Sequence, residues 1–212
     1  MIDARAWGGT AAKSLATLKE LKKTAYHHYG HHPLSILKFL YYSGMRVNTF
    51  HIYEFDLAGE FPDLAPDPGF RIVMPTVEEL EKVREGRDLT REFYYDRLLG
   101  VKTCCLALRG DEPAYIHWVL FRGDHSRFFR LGEKVAELSY STTIPKFRGN
   151  NLQAKLFAHH CRELRDRGYR KAVAAIHELN TPSLRSIELA GWRKTREVKA
   201  LGPFHRKIDC TA

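Results

Sequence analysis

The sequence has no long apolar run. Its longest apolar cluster, 34–42, is interrupted by Lys38 and falls far short of the ~20 residues a membrane helix needs, so no transmembrane segment is expected. Residues 1–23 (MIDARAWGGTAAKSLATLKELKK) hold no uninterrupted apolar stretch and do not read as a secretory signal. Cysteine is scarce: Cys104, Cys105, Cys161 and Cys210 are all there is, with no CxxC pair. That argues against a disulfide framework or a zinc site and for reduced thiols in a cytoplasmic protein. Internal repeats and low-complexity tracts are missing, and so is a full glycine fingerprint for phosphate binding.

What is present is ordinary for a globular chain with a real core: 44% hydrophobic and 28% charged residues. The net charge of +9 is unevenly placed. Residues 1–145 balance, with 19 Lys+Arg against 19 Asp+Glu, whereas 146–212 carry 15 against 6. A basic final third suits a nucleic acid, a phosphorylated cofactor or simply a solvated surface. The aromatics, however, concentrate before residue 145, away from the charge.

Periodicity divides the chain. Residues 1–69 predict a helix over 10–29, a short helix over 34–42 closed by Ser43-Gly44, a strand over 46–57 and a proline-containing linker over 59–69. From 70 the order is β-α-α-β-β-β-α-β-α-β, the last position taken by two short strands. Strands fall at 70–74, 102–108, 114–122, 134–143, 171–176, 196–201 and 205–209, and helices at 77–85, 89–99, 151–167 and 181–190. Thr76 and Glu79 have capping-box spacing, Gly110-Asp111-Glu112-Pro113 reads as a hairpin turn, and Gly202-Pro203 separates the last two strands. The expectation is an α/β (α+β) fold: an N-terminal extension, 1–69, followed by a catalytic-sized domain, 70–212.

The segment with most chemical content is Glu137 to Gln153, ELSYSTTIPKFRGNNLQ. A strand runs through a glycine turn straight into a helix, where the first backbone N–H groups lack internal partners and meet the positive end of the helix dipole. Arg148 adds a charged donor and Gly149 permits close backbone approach. This is an anion site by construction, though a common motif by chance.

Two stretches together resemble the GNAT superfamily of N-acyltransferases. Ile144-Pro145-Lys146-Phe147-Arg148-Gly149 is similar to the family's V-x-P-x-Y-R-G-x-G pyrophosphate-binding stretch. Asn180-Thr181-Pro182-Ser183 followed by Gly191-Trp192 is similar to its N-x-x-S … G-F motif. One helix and one strand separate them, and the element order from residue 70 agrees. The resemblance implies a mainly antiparallel mixed sheet flanked by helices. It also implies acetyl-CoA or another acyl-CoA as donor, and a small-molecule or peptide amine as acceptor. Lys146, Phe147, Arg148, Gly149, Asn150, Asn151 and Leu152 would cradle the pyrophosphate. Backbone of Ser141, Thr142, Thr143 and Ile144 would meet the thioester, with Asn180 and Ser183 nearby. Glu137 occupies the strand where some relatives carry a general base, and Tyr140 and His117 are further acid–base candidates. For Glu137 a solvent-facing strand position is the other reading, and for Tyr140 a packed one. His177, just before Asn180, reads as a placement residue.

The chain departs from the pattern at Asn151 and Gln153, where the family has glycine or alanine. Asn151 is expected to imitate glycine in the left-handed region, while Gln153 adds bulk to the cradle. Ile187 stands where many relatives carry a tyrosine acid. The basic run Arg162, Arg165, Arg167, Arg170, Lys171 is a solvated face or, in part, a partner for the coenzyme 3′-phosphate. His27, His28, His31 and His32 have i, i+4 spacing, but Gly30 and Pro33 break the helix and nothing completes a ligand set, so no metal is expected. A basic nucleic-acid-binding module and a catalytically degenerate sensor remain alternative readings. Residues 1–69 carry no motif: acceptor site, homodimer contact and membrane-surface element are all open.

Overall fold

The computed structural model describes residues 22, 25, 26, 30–32, 34–41, 46–65, 67–201 and 207–211. Most of the helix expected over 10–29, with His27 and His28, lies outside the described residues. So do Pro33, Ser43-Gly44, Gly202-Pro203 and His205.

The first described elements are helix α1 (Leu34–Leu40) and strand β1 (Val47–Asp56). Strand β2 (Arg71–Val73) follows, then helix α2 (Val77–Arg84). Thr76 caps α2 as its spacing implied: the Glu79 N–H donates to Thr76 Oγ1, and Glu79 Oε2 accepts from the Thr76 N–H. The helix expected over 89–99 is broken into a 3₁₀ turn (Arg91–Tyr94) and α3 (Tyr95–Leu99). Strands β3 (Thr103–Arg109) and β4 (Glu112–Leu120) form a hairpin. The turn is tighter than expected, because Glu112 and Pro113 already pair with Arg109 and Leu108. Then come β5 (Phe129–Leu131), β6 (Val135–Thr143), α4 (Leu152–Asp166), β7 (Lys171–His177), α5 (Thr181–Leu189), β8 (Arg193–Leu201) and β9 (Ile208–Cys210). The short β5, which periodicity missed, pairs in parallel with β9.

The main sheet has seven strands in the order β2-β3-β4-β6-β7-β1-β8. All neighbours are antiparallel except β6 and β7, whose parallel relation requires a crossover, supplied by α4. Side-chain alternation assigns two faces. On one, Tyr53, Phe55, Leu138, Ala174 and Ile176 pack with Phe157, Cys161 and Leu164 of α4 and Ile187 of α5. On the other, Leu106, Ile116, Trp118 and Leu120 pack with Leu80 of α2 and Phe93 of the 3₁₀ turn.

The boundary expected at 69/70 does not divide this sheet. β1 lies inside it, antiparallel to β7 on one side and β8 on the other. Ile52, Tyr53, Phe55 and Leu57 are buried there. At about 1.5–3 kcal/mol per buried side chain, they contribute on the order of 10 kcal/mol, comparable to the whole stability of a domain. The proline-rich stretch is not a free linker either: Phe61 and Leu64 pack on the α4 core, and the Pro62 carbonyl accepts from Arg162 at 2.7 Å.

Candidate functional site

β6 and β7 pair only at Val135–Lys171, Ala136–Ala172 and Glu137–Val173. Beyond Glu137 the two strands part, β6 staying with β4 and β7 with β1. A bulge drives the departure. Ile116 faces Thr142 and Trp118 faces Ser139, so His117 alone opposes both Tyr140 and Ser141. Tyr140 takes a left-handed φ of 54°, a conformation costing a side-chain-bearing residue about 1–2 kcal/mol. Such strain is typically held at functional sites.

The opened edge of β6 carries backbone groups. The Ile144 N–H donates to Ala114 O at 2.9 Å, and Thr142 pairs with Ile116 in the same register. By antiparallel alternation, the intervening Thr143 turns its N–H and C=O away from β4, toward the gap that β7 has left.

β6 ends in a 3₁₀ turn, Pro145–Phe147, whose Phe147 is buried against Phe70. Arg148 and Gly149 are exposed, Gly149 with φ 86°. Asn150 Nδ2 donates to the Phe147 carbonyl at 2.9 Å, closing the turn. Asn151 adopts φ 53°, ψ 30° at the head of α4, the left-handed geometry expected of a glycine substitute. Its side chain makes no cap hydrogen bond, and the first turn of α4 holds no acidic residue. The leading N–H groups of α4 are thus left for an anion. Lys146 is engaged in an ion pair with Glu112.

The second motif closes onto this turn. Asn180 Oδ1 caps α5 by accepting the Ser183 N–H at 3.4 Å, and Ser183 Oγ donates to Gln153 Oε1 at 3.1 Å. Gln153 is thereby held toward α5. Gly191 turns with φ 80° close beside Phe55 and Pro62, and Trp192 packs on Phe55 and Phe157. Ile187 is fully buried in the same core and offers no acid.

Glu137 is buried, not solvent-facing: it is 1% exposed. It pairs with Leu120, on the sheet face away from α4. Burial pushes its carboxyl up to about 7, against hydrogen bonds from Ser126 and Ser139 that pull it down. Its Oε2 has no hydrogen-bond partner among the described residues. Tyr140 lies on that face too, its ring 4.7 Å from Tyr95, and burial raises its hydroxyl to about 12.

His117 does not join them. Strand alternation places it on the α4 face, 0% exposed, with Nε2 3.1 Å from His160 Nδ1. Burial depresses it well below the ordinary imidazole range. It therefore lies across the sheet from Glu137 and Tyr140, packed against Phe157 of α4. His177 is a placement residue: Nδ1 accepts from the Leu179 N–H at 3.1 Å, so Nε2 carries the proton and faces Asn48 Oδ1 at 2.9 Å. Part of the basic run stacks on aromatic rings. Arg162 and Arg165 lie over the Phe61 ring and Arg167 over Phe121. They lie roughly three to four turns along α4, about 15–23 Å from its head, well apart from the exposed turn at Arg148 and Gly149.

No protein-family model matches the sequence, and no curated protein does. Solved structures do match in fold. A putative GNAT-family acetyltransferase from Novosphingobium aromaticivorans aligns at TM-score 0.51 and 18% identity, covering 73% of this chain and 63% of that one. A GCN5-related N-acetyltransferase from Sphaerobacter thermophilus aligns at TM-score 0.51 and 16% identity, covering 83% and 58%. A tandem GNAT protein from the clavulanic acid biosynthesis pathway gives TM-score 0.51 and 13% identity over 78% and 57%. The chain therefore spans about three-fifths of the length of these structures. With its mixed sheet, the parallel pair opened over a strand–turn–helix, and these counterparts, the chain has the fold of the GCN5-related N-acetyltransferase superfamily.

Proposed function

We propose that the protein transfers an acyl group, most simply acetyl, from coenzyme A to an amine. The observation that carries this reading is the junction of β6 and α4. A left-handed Asn151, an uncapped helix head free of acidic residues and an exposed Arg148 stand at the end of an opened strand with an outward Thr143 N–H. The helix head and Arg148 would hold the pyrophosphate, and the β6 edge would hold the pantetheine arm as an added strand. The Thr143 N–H would polarise the thioester carbonyl where charge develops.

On the other sheet face Glu137 would take the proton from the acceptor ammonium, its raised pKa suiting a base that must also release protons near neutrality. The amine attacks the carbonyl carbon, the C–S bond breaks, the thiolate takes a proton from the Tyr140 hydroxyl, and the nitrogen's second proton restores the tyrosine. No acid comes from Ile187.

Calorimetry with coenzyme A on the wild type and on Arg148→Ala tests this. Losing a charge-assisted phosphate contact should weaken binding about tenfold or more. An absence of coenzyme A binding by the wild type, alongside salt-dependent binding of an oligonucleotide, would overturn the reading in favour of a nucleic-acid module. Binding without turnover on any amine, with acetyl- or longer acyl-CoA, would leave a sensor.

A further inference from the structure

Behind the sheet, under α4, three side chains with no part in this chemistry converge. Cys105 of β3 and His117 of β4 are directly opposed across the hairpin, and His160 comes down from the middle of α4. All three are 0% exposed. One thiol sulfur and two imidazole nitrogens lie within 4.8 Å of one another. We propose that Cys105, His117 and His160 form a three-residue zinc site that fastens α4 to the β3–β4 hairpin.

The geometry is close to what a tetrahedral ion needs. Two imidazole nitrogens on one zinc stand about 3.3 Å apart, and His117 Nε2 and His160 Nδ1 are 3.1 Å apart. Glu163 is three residues beyond His160 on the same helix. Its Oε1 lies 3.5 Å from His159 Nε2 and its side chain is 39% exposed, so it stands beside the trio, with its charge bearing on the Cys105 thiol. A core with no use for these groups would hold apolar residues, which need no compensation when dehydrated. Thiolate with imidazole suits zinc over the oxygen-seeking cations.

Protonation also fits. His117 Nε2 and His160 Nδ1 are aimed at one another and share a proton; a metal would replace that hydrogen bond, the proton moving to the same ring's other nitrogen, which has no partner among the described residues. Burial holds the Cys105 thiol protonated. Binding would break its S–H bond heterolytically, form a sulfur–zinc bond and send one proton to solvent. The Cys105 thiolate would offset one of the ion's two positive charges, and the neighbouring Glu163 carboxylate would offset part of the other at longer range. The other titratable or charged groups bearing on the trio are His159, Arg167 and Cys104. Ligands on three separate elements leave no spacing motif, which is why sequence pattern gives no hint of the site. Its three ligands are fully buried, away from the opened strands, and the site stands independently of the acyl-transfer reading.

The test uses the 212-residue chain, stripped with a chelator and titrated with Co²⁺, then Zn²⁺. The expected result is one Co²⁺ per chain with a thiolate-to-cobalt charge-transfer band and tetrahedral d–d bands, displaced by Zn²⁺. One proton should be released per ion near neutral pH, and the melting temperature should rise. Cys105→Ala should lose the charge-transfer band, and His160→Ala should weaken binding at least about tenfold. A folded wild type showing no such band in excess Co²⁺ would overturn the proposal. A band that survives in Cys105→Ala would do the same, since another thiol would then be the ligand.

Discussion

Ser183 Oγ donates to Gln153 Oε1 at 3.1 Å, joining the first turn of α5 to the first turn of α4. Gln153 is the residue whose bulk threatened the cradle, and Ser183 belongs to the second motif. The contact therefore turns an intrusive side chain into a tie between two helix heads. Ser183→Ala releases Gln153 and is expected to weaken coenzyme A binding several-fold. Gln153→Gly in the same background should recover it. A double-mutant cycle read by calorimetry should give a coupling of about 1 kcal/mol, and additivity would show that the tie does not shape the cradle.

Asn151 has φ 53°. Asn151→Gly should be tolerated with stability within about 1 kcal/mol of wild type, because glycine reaches that region freely. Asn151→Val, forcing a β-branched side chain into it, should cost about 1–2 kcal/mol and displace the head of α4. Urea denaturation measures the first effect and coenzyme A affinity the second.

Glu137 links activity to pH. With its carboxyl at about 7 in the folded protein, kcat should rise with pH through the neutral range. Glu137→Gln should lose both that limb and most of the rate. Tyr140 at about 12 places no opposing limb in the working range, so a single acid limb is expected in the wild type. A two-sided profile that persists in Glu137→Gln would remove the carboxylate from the mechanism.

The same carboxyl sets a stability slope. Its folded value of about 7 lies above the ordinary 4.5, so the protonated group favours the folded state. That contribution is complete below about 4.5 and is lost as pH rises through about 7, on the order of 3 kcal/mol in all. Urea midpoints at several pH values should show wild-type stability falling across this window, and Glu137→Gln should flatten the fall.

Arg84 is 5% exposed. Its Nε donates to Phe93 O at 2.8 Å and its guanidinium bridges Asp96 and Glu81 at 2.5 and 2.6 Å, holding α2 against the 3₁₀ turn and α3. Arg84→Ala strands buried acceptors, so a loss of about 3–5 kcal/mol is expected in chemical denaturation. A loss under 1 kcal/mol would show the cluster to be dispensable.

The elements from residue 70 onward were largely legible because their signals are local. Thr76 and Glu79 announced the α2 cap, the apolar spacing of Leu152, Leu156, Phe157, Cys161 and Leu164 gave α4, and Arg148–Asn151 marked the helix head. The second motif was legible as well, though its work as an α5 cap and a tie to Gln153 was not. Phe129–Leu131 was missed since three residues carry no period, and their partner strand is far along the chain.

The sequence by itself determined the order of elements, the basic final third and the strand–turn–helix that offers N–H groups to an anion, all set by neighbours a few residues apart. Only the tertiary structure decided that β1 belongs inside the sheet, because strand partners are chosen by long-range packing. It also decided that Glu137 is dehydrated while His117 faces α4. A strand's alternation separates two faces in the sequence, but only packing says which of them α4 covers and which carries Glu137 and Tyr140.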